Sequence, residues 1–145
     1  MELVLRFIVF LSLEYESEFK RLNSVDVFLT HVMREFIKDS AFDYAGKKQL
    51  FENTFRKIDD VWGNEGALKF RTSPGTGKFS ISFFEAVALG IAQNINNLPP
   101  DDQLKEKINS IGSDLKYKEA AGTGKNAKSR IPALLKLGEN YFKKS

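Results

Sequence analysis

The tetrapeptide GTGK occurs twice, at Gly75–Lys78 and at Gly122–Lys125. It is the ending of phosphate-binding loops of the form G-x-x-x-x-G-K-[ST]. In these the glycine-rich backbone wraps the phosphates, the lysine reaches their oxygens, and the final hydroxyl holds magnesium. In the first copy the leading glycine position holds Thr72 and the hydroxyl position Phe79; in the second they hold Glu119 and Asn126. Both copies lack both parts, and neither follows a strand-like apolar run. The sequence therefore argues against a bound nucleotide at either copy. Each GTGK reads as loop chemistry ahead of a helix, with glycine supplying turn conformations and threonine and lysine keeping the loop solvated.

Other catalytic arrangements are equally incomplete. His31 is the single histidine and there is no cysteine. That excludes disulfides, thiolate nucleophiles and histidine-rich metal centres, and it fits a reducing, cytoplasmic setting. Asp59–Asp60 and Asp101–Asp102 carry oxygens suited to a hard cation. Successive helical residues point about 100° apart, however, so each pair reads as surface charge. Glu85 follows Ser82 as S-x-x-E, and this spacing predicts a capping box rather than a general acid. No catalytic residue, metal ligand or cofactor is assigned.

The elements around these residues are helical. The chain has 145 residues, enough for one domain spanning 1–145 that buries roughly two-thirds of its unfolded surface. The 13 phenylalanines predict an aromatic core. The opening ELVLRFIVFLSL is too short and too charged to cross a membrane, which takes about 20 apolar residues. It predicts a buried helix over residues 2–15, with Glu2 and Arg6 paired four apart. A second helix follows a cap at Asn23 or Ser24, and a third ends at Gly63. Residues 64–80 form a connector, with a short extended or helical piece at Ala67–Arg71 and a turn at Pro74–Gly77. The helix in SFFEAVALGIA is apolar nearly all round and belongs at the centre. Another starts at Pro99–Asp102 and stops at Gly112; the last begins at Ser129, with Pro132 in its first turn. No pair of strands is legible. The expected fold is all-α, a single compact bundle of about five to seven helices.

Several segments, in order along the chain, resemble the C-terminal helical region of the GmrS-like family of bacterial restriction and phage-defence proteins. Glu2–Phe7 match its E-L-[VI]-L-R-F segment, and Phe28, Leu29 and Met33 follow. Phe51, Phe55, Ile58, Trp62, Gly63 and Phe70 resemble its middle segment. Lys78, Phe84, Glu85, Ala86 and Val87 resemble its central helix, and Gly122, Thr123 and Arg130 a late loop. The family's chemistry belongs to an N-terminal ParB/sulfiredoxin-like nuclease domain bearing a D-G-Q-Q-R motif, which this sequence lacks. The resemblance implies a non-catalytic interaction or scaffold module, partnered by a ParB-like nuclease domain or by a second copy. The apolar first helix is the expected interface, through Leu3, Val4, Phe7 and Phe10; the alternative is that the bundle simply buries it.

Charge suggests a second function. Residues 1–100 carry 12 basic and 13 acidic side chains, a balance of −1, whereas residues 101–145 carry 10 and 6, a balance of +4. A basic C-terminal third points either to a solvated surface or to nucleic acid. On the second reading Lys116, Lys118, Lys125, Lys128, Arg130 and Lys136 follow a phosphate backbone such as that of DNA, and Tyr117 or Tyr141 stacks on bases. An autonomous enzyme is the third reading, and no nucleophile–base pair supports it.

Overall fold

The computed structural model describes residues 2–12, 19, 21, 24–63, 66–70 and 74–144. Seven helices lie among them: α1 (Glu2–Phe10), α2 (Val25–Lys38), α3 (Tyr44–Trp62), α4 (Ile81–Gln93), α5 (Asp101–Ile111), α6 (Leu115–Ala121) and α7 (Ala127–Phe142). The all-α bundle is as expected. The first helix is shorter than predicted: it ends at Phe10 and turns at Leu11–Ser12, while residues 13–15 lie outside the described residues, as does Asn23.

The start and stop signals mostly work as their chemistry dictates. Gly63 ends α3 with a positive φ of 66°. Asp101 and Asp102 occupy the first turn of α5, at its positive dipole end. Ser24 sits at the N-cap of α2 without a capping bond. Its hydroxyl instead hydrogen-bonds the Asp26 carboxylate and holds it below the usual carboxylate value. Asn126, not Ser129, caps α7 by accepting a 3.0 Å bond from the Ser129 amide. Pro132 therefore lies one turn further into the helix than expected.

One correction concerns the connector. Two short strands, β1 (Lys69–Phe70) and β2 (Pro74–Phe79), pair antiparallel with an irregular register. The first GTGK lies within β2, where Gly75 and Gly77 have φ of 79° and 76°. Glycine and proline are poor strand residues, so β2 is hidden in the sequence, while β1 falls within the short extended or helical piece expected at Ala67–Arg71. Its continuation is closed by the Ser80 amide donating to the Leu68 carbonyl at 3.0 Å.

At the centre, every residue of α4 from Phe83 to Ala92 is buried. α7 lies against one side of α4 and α3 against another; α1 packs on α2 and α3, α5 on α3 and α7, and α6 on α7. The phenylalanines join these layers. The Phe7 ring meets Phe51 edge-on at 5.2 Å and Phe55 at 5.9 Å, and Phe10, Phe19 and Phe28 form a second group.

The α4–α7 contact is the tightest. A Cβ placed on Gly90 would stand 2.6 Å from the Cα of Gly138. Asn94 fastens the pair, its side-chain amide donating to the Gly90 carbonyl at 2.9 Å and to the Glu139 carbonyl at 2.8 Å. Alanine normally gains about 1 kcal/mol over glycine within a helix. Here the clash is with backbone, which cannot rotate away, so overpacking wins. Gly90→Ala and Gly138→Ala are each expected to lower stability by about 1–3 kcal/mol in urea unfolding; unchanged or raised stability would refute the close approach.

Candidate functional site

A carboxylate in a helix that is apolar on every side must find a cation or remain buried and unpaired. Glu85 is that residue, and it is fully buried. Arg130, from the first turns of α7, binds it through two bonds: Nε to Oε2 at 2.9 Å and Nη2 to Oε1 at 3.2 Å. Arg6 of α1 adds Nη1 to Oε1 at 3.1 Å and also donates to Glu2 from Nε at 2.9 Å and Nη2 at 2.8 Å. The result is an alternating chain, Glu2–Arg6–Glu85–Arg130, running from solvent into the core. The expected Glu2–Arg6 pair is its outer link. The expected capping box does not form: Ser80 caps α4, accepting from the Phe83 amide at 3.2 Å, and Glu85 turns inward.

Tyr117 on α6 lies beside this network. It is 4 % exposed and meets Phe83 edge-on at 5.9 Å. Burial pushes its phenol up from the usual 10.0 to about 12; the nearby Glu85 charge acts in the same direction and a hydrogen bond with Ser80 opposes them.

Above the network, α6 and α7 leave a groove of about 470 Å³. Ala120, Ala133 and Leu137 line it, together with Lys116, Lys125 and Lys136. Among the described residues none of these three lysines has an ion-pair partner. The second GTGK sets the end of the groove. Gly122 closes α6, and Gly124 adopts a φ of 82°. The Lys125 amide then donates to the Gly122 carbonyl at 3.2 Å, presenting Lys125 at the mouth.

The structure thus divides the six basic candidates. Lys116, Lys125 and Lys136 converge on one groove. Lys118 is exposed on α6 but does not line it, and Lys128 is half-buried with a partner of its own. Arg130 is bound to Glu85 through two bonds and does not line the groove. Neither tyrosine offers a stacking face: Tyr117 is buried, and Tyr141 is half-buried, bonded to Ser110 at 2.9 Å with the Lys107 amine over its ring. The proposed interface on α1 also divides. Leu3 and Val4 are exposed at 36 % and 42 %, but Phe7 and Phe10 lie in the core at 1 % and 2 %. Their rings complete the two phenylalanine clusters, so the bundle itself covers that side.

His31 is half-buried in a shallow hollow with Asp26, Thr30 and Arg34. Asp59 and Asp60 are exposed, and Asp101 pairs with Lys57 at 2.9 Å. Among the described residues no three His, Asp or Glu side chains gather as metal ligands would, and no helix is long and apolar enough to cross a membrane. The chain matches no family model, and no curated protein or solved structure is detectably similar to it.

Two outcomes follow from the buried network. Glu85→Ala leaves Arg130 without its carboxylate and Arg6 with Glu2 alone, and is expected to cost about 3–5 kcal/mol in denaturant unfolding. The triple replacement Arg6→Met, Glu85→Leu, Arg130→Met is expected to recover most of that loss; failure of the triple variant to fold would contradict it. For Tyr117, the folded state favours the neutral phenol. Its stabilising contribution is complete below pH 10.0 and is lost as pH rises toward about 12. Unfolding measured across that window should show a steeper alkaline decline for the native chain than for Tyr117→Phe; equal slopes would refute the assignment.

Proposed function

We propose that the chain is a non-catalytic helical interaction module. It would act beside a catalytic partner, as the resemblance to the C-terminal region of GmrS-like restriction and phage-defence proteins implies. The supporting observation is the groove between α6 and α7, where three lysines without ion-pair partners among the described residues surround an apolar lining. By contrast, the carboxylate of the strongest acid–base constellation, Glu85, is fully buried and already occupied by Arg6 and Arg130. Leu3 and Val4 add exposed apolar surface on α1. The partner on this reading is a ParB-like nuclease domain or a second copy of the chain, in a cytoplasmic setting.

The convergence of Lys116, Lys125 and Lys136 favours one second reading, nucleic-acid binding through phosphates. The two readings separate in one set of measurements. The module reading expects self-association by light scattering, or retention of a protein partner from a lysate of the source cells. It also expects that retention to fail with Leu3→Glu/Val4→Glu or with Lys116→Glu/Lys136→Glu. The nucleic-acid reading expects single-stranded DNA binding whose log affinity falls against log salt with a slope of about −2, the value for three phosphate contacts. A chain that stays monomeric, retains no protein and binds no DNA at low salt refutes both.

A further inference from the structure

Resting on the interaction-module reading, we propose that the α6–α7 groove is a docking site for an acidic amphipathic helix of a partner protein.

The shape of the groove supports a helix. Along α7 its lining runs from Ser129 to Asn140. Eleven helical steps span about 16 Å, or three turns, which suits a helical segment of similar length. Both walls are helices, and between the polar Ser129 and Asn140 the lining holds half-buried Ala120, exposed Ala133 and buried Leu137. The small side chains of Ala120 on α6 and Ala133 on α7 leave room for branched or aromatic side chains from an incoming helix, the usual mode of helix-in-groove recognition.

The charge selects the sign of that helix. Lys116 stands on α6, Lys125 on the connecting loop and Lys136 on α7, so positive charge lies on both walls and at one end. A helix with Leu or Phe on one face and Asp or Glu flanking it satisfies both the lining and the lysines. The same groove suits nucleic acid poorly. It contains no aromatic side chain on which a base could stack. Glu119 lies among its lining residues, where it would repel a phosphate backbone. A phosphate backbone is charged at every step, whereas an amphipathic helix places an uncharged residue opposite that glutamate and its acidic residues opposite the lysines.

The test uses synthetic helical peptides of about twelve residues that share one leucine stripe and differ in the polar face, which is Glu, Gln or Lys. Binding to the full chain is followed by fluorescence anisotropy, with oligothymidylate as the nucleic-acid probe. The Glu peptide is expected to bind at least about tenfold tighter than the Gln peptide, a difference of about 1.4 kcal/mol. Lys116→Glu/Lys136→Glu should reverse the preference toward the Lys peptide. Ala133→Arg, at an exposed position, should abolish peptide binding without moving the melting temperature. Failure of the Glu peptide to bind, or binding that survives Ala133→Arg, overturns the proposal. So does oligothymidylate that binds more tightly than the Glu peptide and is weakened by Lys116→Glu/Lys136→Glu. If Ala133→Arg leaves partner retention or self-association intact, the groove assignment falls while the module reading stands. If the native chain shows neither, the module reading falls by itself.

Discussion

A single buried carboxylate constrains this bundle. Glu85 sits midway along a helix with no polar face, so its charge must be met by groups from elsewhere in the chain. Both cations come from distant segments, 79 residues before and 45 residues after it. α1 and α7 are therefore held at defined positions against α4. Hydrophobic packing alone would tolerate some sliding of these helices; a two-bond fork between Arg130 and Glu85 does not. In energetic terms such a network contributes little beyond what well-packed apolar side chains would give, and its removal in part is far worse than its removal whole. Its effect is to make one arrangement of three helices distinct from the near alternatives.

Gly90 and Gly138 supply the second constraint on the same pair of helices. With no Cβ on either side, the α4 and α7 backbones meet directly, and Asn94 bridges them one turn along. The ionic contact lies near the start of α7 and the glycine contact near its end. Together they fix both the axial position and the rotation of α7. Rotation decides which residues face outward, and so the groove is a by-product of the way the core is locked. Ser129 and Ala133 line the groove because Arg130 and Leu134 face inward.

Much of the scaffold was legible from local chemistry. The all-round apolar character of SFFEAVALGIA put α4 at the centre, Gly63 stopped α3, and the four-residue spacing of Glu2 and Arg6 announced their pair. Glu85 was hidden because a plausible local pattern, S-x-x-E, accounted for it without reference to the rest of the fold. The real signal was its isolation: an ionisable group among nine other buried residues calls for a cation from outside the helix. The hairpin was hidden because two of its strand residues are glycines at positive φ. On α1, apolar residues on several faces fit burial and exposure equally well, and only the packed rings of Phe7 and Phe10 decide the matter. The basic surface was half legible. Lysine positions could be read, but Arg130 differs from the groove-lining Ser129 by one helical step, and that step turns its guanidinium away from the groove and onto buried Glu85.

That one-step offset has a consequence for how the chain can vary in length. The loop from Gly122 to Asn126 is short and closed by its own hydrogen bond. Were one residue gained or lost there and passed on to α7, the helix would turn by about 100°. Arg130 would leave Glu85, Gly138 would leave Gly90, and the lysine face would swing away from α6, all in a single event. Surface loops generally absorb insertions well. This one behaves as a gauge, in which the number of residues matters more than their identity. Drift in loop length should be tolerated at the exposed ends of the bundle and suppressed between α6 and α7.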